Sequence, residues 1–292
     1  MVSIIIPAYN DPFLQKTIDS LLVNARGEIE IIAILDGYIP KVPIKKDPKL
    51  TIIKFKKNRG MRGAINAGIK KAKGKFLMKC DSHCAFGPGY DKIMAQNCKP
   101  SWLMIPRRYR LDTQNWNRVR YTSGIDYHYL SFPVLSLYGT TFTISSWKER
   151  KYIGRSAGLN IDDTMTFQGS CWFANRKYFM KHIGLLKYGK KTYGTFGCEQ
   201  VEIGLKYWLG GGSVKIIKTA WYAHLNKRSY HYYLGLFSRE YKVSEDAIRG
   251  RTWSAKHWMN NMEPGMIHPF TWLVEKFWPI PDWPTDRKLW VL

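Results

Sequence analysis

The sequence predicts an α/β protein on a mostly parallel central sheet, and three observations carry that expectation. Short apolar runs alternate with helical stretches through residues 1–80 in the order strand, helix, strand, strand, helix, strand. The spacings between them are short throughout. Asp36 and Asp81 follow directly on two of the runs, at the strand ends beyond which open parallel sheets take their ligands.

The elements follow in order. Residues 2–7 form an apolar strand closed by Pro7, and a helix opens at Asp11 or Pro12 with apolar positions at Phe13, Ile18, Leu21 and Leu22. Ile29–Leu35 is a second buried strand stopped by Asp36-Gly37, Leu50–Phe55 a third, and Gly60–Ala72 a helix. Phe76–Lys79 is a fourth strand that runs into Cys80-Asp81-Ser82-His83. Residues 100–160 break the pattern. Arg107, Arg108, Arg110, Arg118 and Arg120 are mixed with Tyr109 and Trp116, and residues 121–138 are rich in aromatics. The segment reads as a basic insertion or long loop over the sheet. Order returns over Thr164–Phe173, with helices near Lys177–Ile183 and over Glu199–Leu209, the latter ended by three glycines. A strand at Val214–Ile217 then leads to Trp221-Tyr222-Ala223-His224. The expected division is a domain over residues 1–228 and an aromatic C-terminal extension over 229–292, where six of the 12 tryptophans fall.

Composition excludes several classes. The chain has 292 residues, of which 45% are hydrophobic, too apolar for intrinsic disorder and long enough for a sizeable core. Its 24 glycines and 14 prolines follow no repeat, which excludes collagen-like and solenoid classes. No apolar run approaches the length of a membrane span, and the opening residues lack a signal peptide's charged and apolar regions. Five cysteines, an odd count without a CxxC pair, fit reduced thiols and a cytoplasmic location. The charge stands out: 46 Lys plus Arg against 22 Asp plus Glu give a formal +24. The excess runs along the whole chain, so the folded body attracts polyanions such as nucleic acid, an anionic membrane or an acidic polysaccharide. The plain alternative is a merely soluble basic surface.

The strongest local signal is Asp81-Ser82-His83 at a strand end. A carboxylate and an imidazole two positions apart can face one site and suit a borderline divalent cation such as Mn²⁺, with Mg²⁺ as the harder alternative. Such a cation neutralises a departing diphosphate. Taken alone, an Asp-x-His is more often a pair of ordinary turn residues.

These residues carry a resemblance. Residues 2–10 (VSIIIPAYN) look like the opening strand of nucleotide-sugar glycosyltransferases of the GT-A fold, and Lys79–Cys84 (KCDSHC) closely resembles the metal motif of polypeptide N-acetylgalactosaminyltransferases. Residues 196–211 are similar to that family's second signature, and Ala223-His224 stands where the family has its third metal ligand. The resemblance covers roughly residues 2–100 and 164–228. It implies a GT-A fold, a UDP-sugar donor, and metal ligands Asp81, His83 and His224. It further implies a uridine pocket lined by Pro7, Ala8 and Tyr9, with Asp36 on the uridine and Arg62 near the nucleotide. Gly169-Ser170 resembles the small pair that lets the donor sugar approach the backbone. Glu199 matches the acid near the donor sugar and acceptor hydroxyl. Each has a plainer reading: a core or surface histidine, a solvated cation at a helix start for Arg62, a helix N-terminal carboxylate for Glu199. Phe196 replaces the family's usual Trp, and the segment before Phe179 is one residue shorter, which bears on sugar identity and on the family's mobile loop. Retention of anomeric configuration is implied by resemblance only.

The resemblance supplies no acceptor. Its members are membrane-anchored and carry a lectin domain, and this chain is expected to lack both. The +24 charge favours double-stranded DNA carrying 5-hydroxymethylpyrimidines, as some phage-type glycosyltransferases use, in which case the host cytoplasm is the place of action. Arg107, Arg108, Arg110, Arg118, Arg120, Lys227 and Arg228, interleaved with aromatics, are the residue types for phosphate contact and base stacking. The alternatives are an anionic envelope glycan, a lipid-linked sugar or a protein Ser/Thr, with the aromatic C-terminal segment serving membrane association. A non-catalytic binding module is the remaining possibility.

Overall fold

The computed structural model describes residues 1–136, 139–152, 156, 158–225 and 245–291. Fourteen strands are described: β1 (Val2–Ala8), β2 (Ile29–Asp36), β3 (Leu50–Phe55), β4 (Phe76–Cys80), β5 (Cys84–Phe86), β6 (Trp102–Asp112), β7 (Asn117–Arg118), β8 (His128–Leu130), β9 (Val134–Ser136), β10 (Gly139–Thr141), β11 (Ile144–Ser146), β12 (Ile161–Asp163), β13 (Cys171–Asn175) and β14 (Ser213–His224). The helices are α1 (Leu14–Asn24), α2 (Gly60–Lys71), α3 (Tyr90–Asn97), α4 (Arg176–His182), α5 (Glu199–Leu209), α6 (Glu245–Met259) and α7 (Phe270–Phe277). One ten-stranded sheet runs β12-β14-β6-β13-β4-β1-β2-β3, with β5 added on β14 and β7 on β6. The β4-β1-β2-β3 half is parallel, β6 and β14 are parallel to each other, and β13 lies antiparallel between the two halves.

The apolar runs of β1 and β2 are explained by cover on both faces. Ile4 and Ile6 pack with Leu14, Ile18 and Leu21 of α1, whereas Ile5 packs with Ala64, Ile65 and Ile69 of α2. On β2, Ile31, Ala33 and Leu35 join the first cluster, and Ile32 and Ile34 the second. The two-residue period of a strand thus feeds two cores.

Two expectations are corrected. The start of the supposed insertion is an interior strand: β6 sits between β14 and β13, with Leu103, Met104 and Ile105 buried. Its arginines begin where the strand runs past β13, directly after Pro106, so the apolar stretch and the basic one belong to a single strand that continues through a proline. Only residues beyond β6 form the short ribbons β8–β11 and β9–β10. Most aromatic residues of 245–291 are likewise core. Trp258, Phe270, Phe277, Trp283 and Trp290 join Ile32, Ile65 and Trp208 in one cluster. Their indoles are satisfied, Trp258 Nε1 by the Tyr193 hydroxyl at 2.7 Å and Trp283 Nε1 by the Leu130 carbonyl at 2.7 Å. The expected boundary at residue 228 lies outside the described residues. Among the described residues no helix is long and apolar enough to cross a membrane.

Candidate functional site

The carboxyl ends of β1, β2 and β4 open on one side of the sheet, and β14 brings His224 to the end of β4. Asp81 leaves β4 with its amide bonded to the Ser170 carbonyl at 2.9 Å. His224 Nε2 lies 3.1 Å from Asp81 Oδ2, and the His83 and His224 rings are 4.9 Å apart. One ligand atom from each of Asp81, His83 and His224 falls within 4.8 Å of the other two.

Electrostatics suit a cation there. Burial pushes the Asp81 carboxyl upward, but the Lys79 charge and the His224 hydrogen bond outweigh it and hold Asp81 well below the usual carboxylate range. Burial pulls the His224 imidazole down to about 4, against its hydrogen bond to Asp81. His224 is therefore neutral at pH 7, as a metal ligand must be. Its Nδ1 is buried without a hydrogen-bond partner among the described residues, an unsatisfied polar atom of the kind a bound ion resolves. One carboxylate and two imidazoles match a borderline divalent ion.

Asp11 was not visible as a site residue. Its Oδ2 lies 2.7 Å from His83 Nδ1 and accepts from Ser82 Oγ at 2.6 Å. This is the carboxylate–histidine arrangement that orients metal-binding imidazoles. The signal was an acid three residues past β1, and only the fold brings it to His83.

Glu199 opens α5 behind Cys198 in the left-handed region and is buried. Its Oε1 lies 3.5 Å from Lys79 Nζ. The same ammonium donates to Asp81 Oδ1 at 2.5 Å and to the Gly169 carbonyl at 2.6 Å. Burial lowers the Lys79 pKa, but the two carboxylates outweigh that and keep it above the ordinary lysine value. Gly169 lies against Glu199, where a Cβ would fall 2.2 Å from Oε1. Ser170 Oγ is 2.6 Å from the Tyr222 hydroxyl.

The remaining expected residues divide. Pro7, Ala8, Tyr9 and Asp36 meet at the ends of β1 and β2. Tyr9 is exposed and edge-on to Tyr38 at 6.3 Å. The Tyr38 hydroxyl is buried without a partner among the described residues, and burial followed by the Asp11 charge raises its pKa to about 12. Asp36 is buried and accepts the Arg59 amide at 2.7 Å. Arg62 is corrected. It is fully buried, donates to the Lys187 and Gly197 carbonyls at 2.7 Å each, and pairs with Glu202, also fully buried. Its guanidinium lies over the Tyr193 ring at 4.3 Å. Arg62 therefore ties the approach to α5 onto α2.

The basic candidates also divide. Arg107 is held by Asp126 through bonds of 2.7 and 2.8 Å, which takes it out of the set able to meet a phosphate freely. Arg108 is half-buried beside Tyr222, with an unpartnered Nε. Arg110, Arg118 and Arg120 are exposed, and Arg118 lies over both Tyr109 and Trp221 at about 5 Å. Lys227 and Arg228 lie outside the described residues.

A Rossmann-like sheet with a candidate cation site at its strand ends defines the class of nucleotide-sugar transferase folds. The chain belongs to glycosyl transferase family 2, whose family model matches residues 3–183. Among curated proteins it is 22% identical over 275 residues to the probable N-acetylgalactosaminyltransferase 7 of Caenorhabditis elegans, a match covering 89% of this chain and 44% of that one. It is 23% identical over 220 residues to human polypeptide N-acetylgalactosaminyltransferase 18, covering 74% of this chain and 33% of that one. A shorter match, 39% over 84 residues, is to the uncharacterized glycosyltransferase EpsJ of Bacillus subtilis, covering 26% of this chain and 24% of that one. Among solved structures, GalNAc-T7 with UDP, GalNAc and Mn²⁺ superposes with a TM-score of 0.65 at 15% identity, covering 89% of this chain and 49% of that one. That likeness shows the GT-A fold. The chain spans less than half the length of the N-acetylgalactosaminyltransferases it matches.

Proposed function

We propose that the chain is a divalent-cation-dependent glycosyltransferase that takes a sugar from a UDP-sugar and adds it to a hydroxyl acceptor. The observation that carries this reading is the cluster of Asp81, His83 and His224 beside a buried Glu199. The GalNAc-T7 structure, which holds UDP, GalNAc and Mn²⁺ on the same fold, supports it. Asp81, His83 and His224 hold the cation, Mn²⁺ before Mg²⁺, and Asp11 holds His83 in line. When bound, the cation neutralises the diphosphate leaving group. Pro7, Ala8, Tyr9 and Asp36 bind the uridine. Gly169 and Ser170 present backbone to the sugar, and the Glu199 carboxylate takes a sugar hydroxyl. The bond between the sugar's C1 and the diphosphate oxygen breaks as the acceptor oxygen bonds to C1 on the same face. The acceptor proton passes to the departing phosphate, and the configuration is retained.

For the acceptor, the reading is 5-hydroxymethylpyrimidine in double-stranded DNA, with action in the cytoplasm. The +24 charge and the exposed Arg110, Arg118 and Arg120 support it. The burial of Trp258, Trp283 and Trp290 takes those three tryptophans out of the set that could meet a membrane, which favours it further. The test is UDP release with several UDP-sugars, with Mn²⁺ or chelator, on duplexes with and without 5-hydroxymethylcytosine or 5-hydroxymethyluracil. Turnover requiring both metal and the modified base is expected, and Asp81→Ala abolishes it while DNA binding persists. Metal-dependent hydrolysis indifferent to DNA refutes the DNA acceptor and moves it to glycan, lipid or protein. Full turnover by Asp81→Ala refutes the metal assignment.

A further inference from the structure

Lys79 is the most unusual residue of the site. All five residues of β4 are buried, and Lys79 is fully enclosed among them. A lysine in such a place persists only when its charge and its donors are met. Its neighbour Leu77, on the same face of the strand, belongs to the apolar cluster, and its register partner across the ladder is Trp172. The stem therefore passes through apolar surroundings and the ammonium emerges beneath the site.

There it meets three acceptors: Asp81 Oδ1 at 2.5 Å, the Gly169 carbonyl at 2.6 Å and Glu199 Oε1 at 3.5 Å. An ammonium has three protons and no acceptor lone pair; the first two oxygens accept hydrogen bonds from it, and the Glu199 carboxylate stands at ion-pair distance. The three acceptors come from three separate segments: the end of β4, the turn before β13 and the start of α5. Each carries a group that the proposed chemistry uses. A lysine needed for the fold alone has no reason to choose these three.

We propose that Lys79 is a positioning residue: its buried ammonium is the shared counter-ion of Asp81 and Glu199, fixing the separation of the two carboxylates and competing with the divalent cation for Asp81. The inference rests on the metal-site reading and deepens it. It explains how the buried Glu199 and the half-buried Asp81 are held close together, since like charges at such range repel. It also implies that cation affinity is deliberately moderate, because Asp81 shares its charge with an internal partner.

The test uses Mn²⁺ itself as probe, followed by the electron paramagnetic resonance of the free ion, alongside steady-state UDP release. Lys79→Met keeps the stem and deletes the charge. It is expected to bind Mn²⁺ about tenfold more tightly. Its kcat should fall on the order of 100-fold, with KM for the UDP-sugar changed far less, because Glu199 loses its anchor. Lys79→Arg keeps the charge and should hold the Mn²⁺ affinity within about threefold. Glu199→Gln gives the whole ammonium to Asp81 and should weaken Mn²⁺ binding severalfold, a readout that survives if Lys79→Met fails to fold. Unchanged Mn²⁺ affinity in Glu199→Gln, or weaker affinity in a folded Lys79→Met, overturns the proposal. Asp81→Ala separates the two levels: if it binds Mn²⁺ normally, the metal site itself falls and this inference with it. If Asp81→Ala loses Mn²⁺ while the Lys79 and Glu199 variants do not shift it, only the role of Lys79 falls.

Discussion

Gly169→Ala tests the site with the smallest possible change. Gly169 is not one of the glycines in the left-handed region, so alanine meets no backbone strain and the effect is one of space alone. The added methyl would lie 2.2 Å from Glu199 Oε1, 2.7 Å from its Cδ and 3.1 Å from Gln200 Oε1. Ordinary contact between carbon and oxygen requires a retreat of the carboxylate by roughly 1 Å. Because Glu199 is a side-chain terminus, the fold can yield to it, and overpacking should cost only about 1–3 kcal/mol of stability. The chemistry cannot yield so easily. Glu199 Oε1 sits 3.5 Å from Lys79 Nζ, and a 1 Å displacement of a group that orients substrate costs on the order of 100-fold in rate. Steady-state UDP release at saturating metal reads the loss in kcat, with the thermal midpoint recorded in parallel. Turnover within threefold of the parent, in a protein of unchanged midpoint, would refute the assignment of Glu199 to the reacting sugar.

Three further outcomes are expected. Glu202→Gln leaves the fully buried Arg62 without its counter-ion and should cost about 3–5 kcal/mol, read as a lower urea midpoint at unchanged m; a loss below about 1 kcal/mol would remove Arg62 from its role as a tether. Asp11→Asn weakens the hold on His83 and should lower Mn²⁺ affinity about 10- to 100-fold, with equal binding by the variant as the contrary result. His128 is drawn down from 6.5 to about 3, by burial first and the Arg108 charge second. The unfolded chain therefore takes up that proton first, so the stability associated with His128 is complete above pH 6.5 and is lost as pH falls toward 3. From pH 7 to pH 5 the loss amounts to about 2 kcal/mol. Replacing His128 by Gln should flatten the urea midpoint over this range, and an undiminished slope in that variant would contradict the reasoning.

What was legible in the sequence is what neighbouring residues impose on one another. The strands β1 and β2 declare themselves because burial on both faces leaves them almost wholly apolar, and helix α5 begins and ends at the expected residues. Asp81, His83, Glu199 and His224 were found because each stands in a local motif at an element's end. The β6 strand was hidden because it changes character midway: its interior half is apolar, its outer half basic, and Pro106 at the junction reads as the end of a strand. The tryptophans after residue 250 read as a C-terminal extension because sequence alone does not say which core an aromatic enters.

Long-range partners were the other hidden class, and they alter what the motif residues mean. Asp11 and His83 are 72 positions apart, Lys79 and Gly169 are 90 apart, and Arg62 and Glu202 are 140 apart. At a strand end a lysine reads as a residue reaching for solvent, and at a helix start an arginine reads the same way. Burial reverses both readings. Once water is withdrawn, each cation must find acceptors within the fold, and the acceptors nearest to hand are those that build the site. Arg62 then fixes the path leading into Glu199, and Lys79 fixes Glu199 itself. In a body carrying +24, these two cations face inward, away from any polyanion. The excess charge that bears on an acceptor therefore resides in exposed residues such as Arg110, Arg118 and Arg120. Neutralising those three should reduce the salt dependence of duplex binding while leaving Mn²⁺ affinity untouched. If Mn²⁺ affinity moved with them, the cation site and the acceptor surface would be one electrostatic unit, and the division argued here would be wrong.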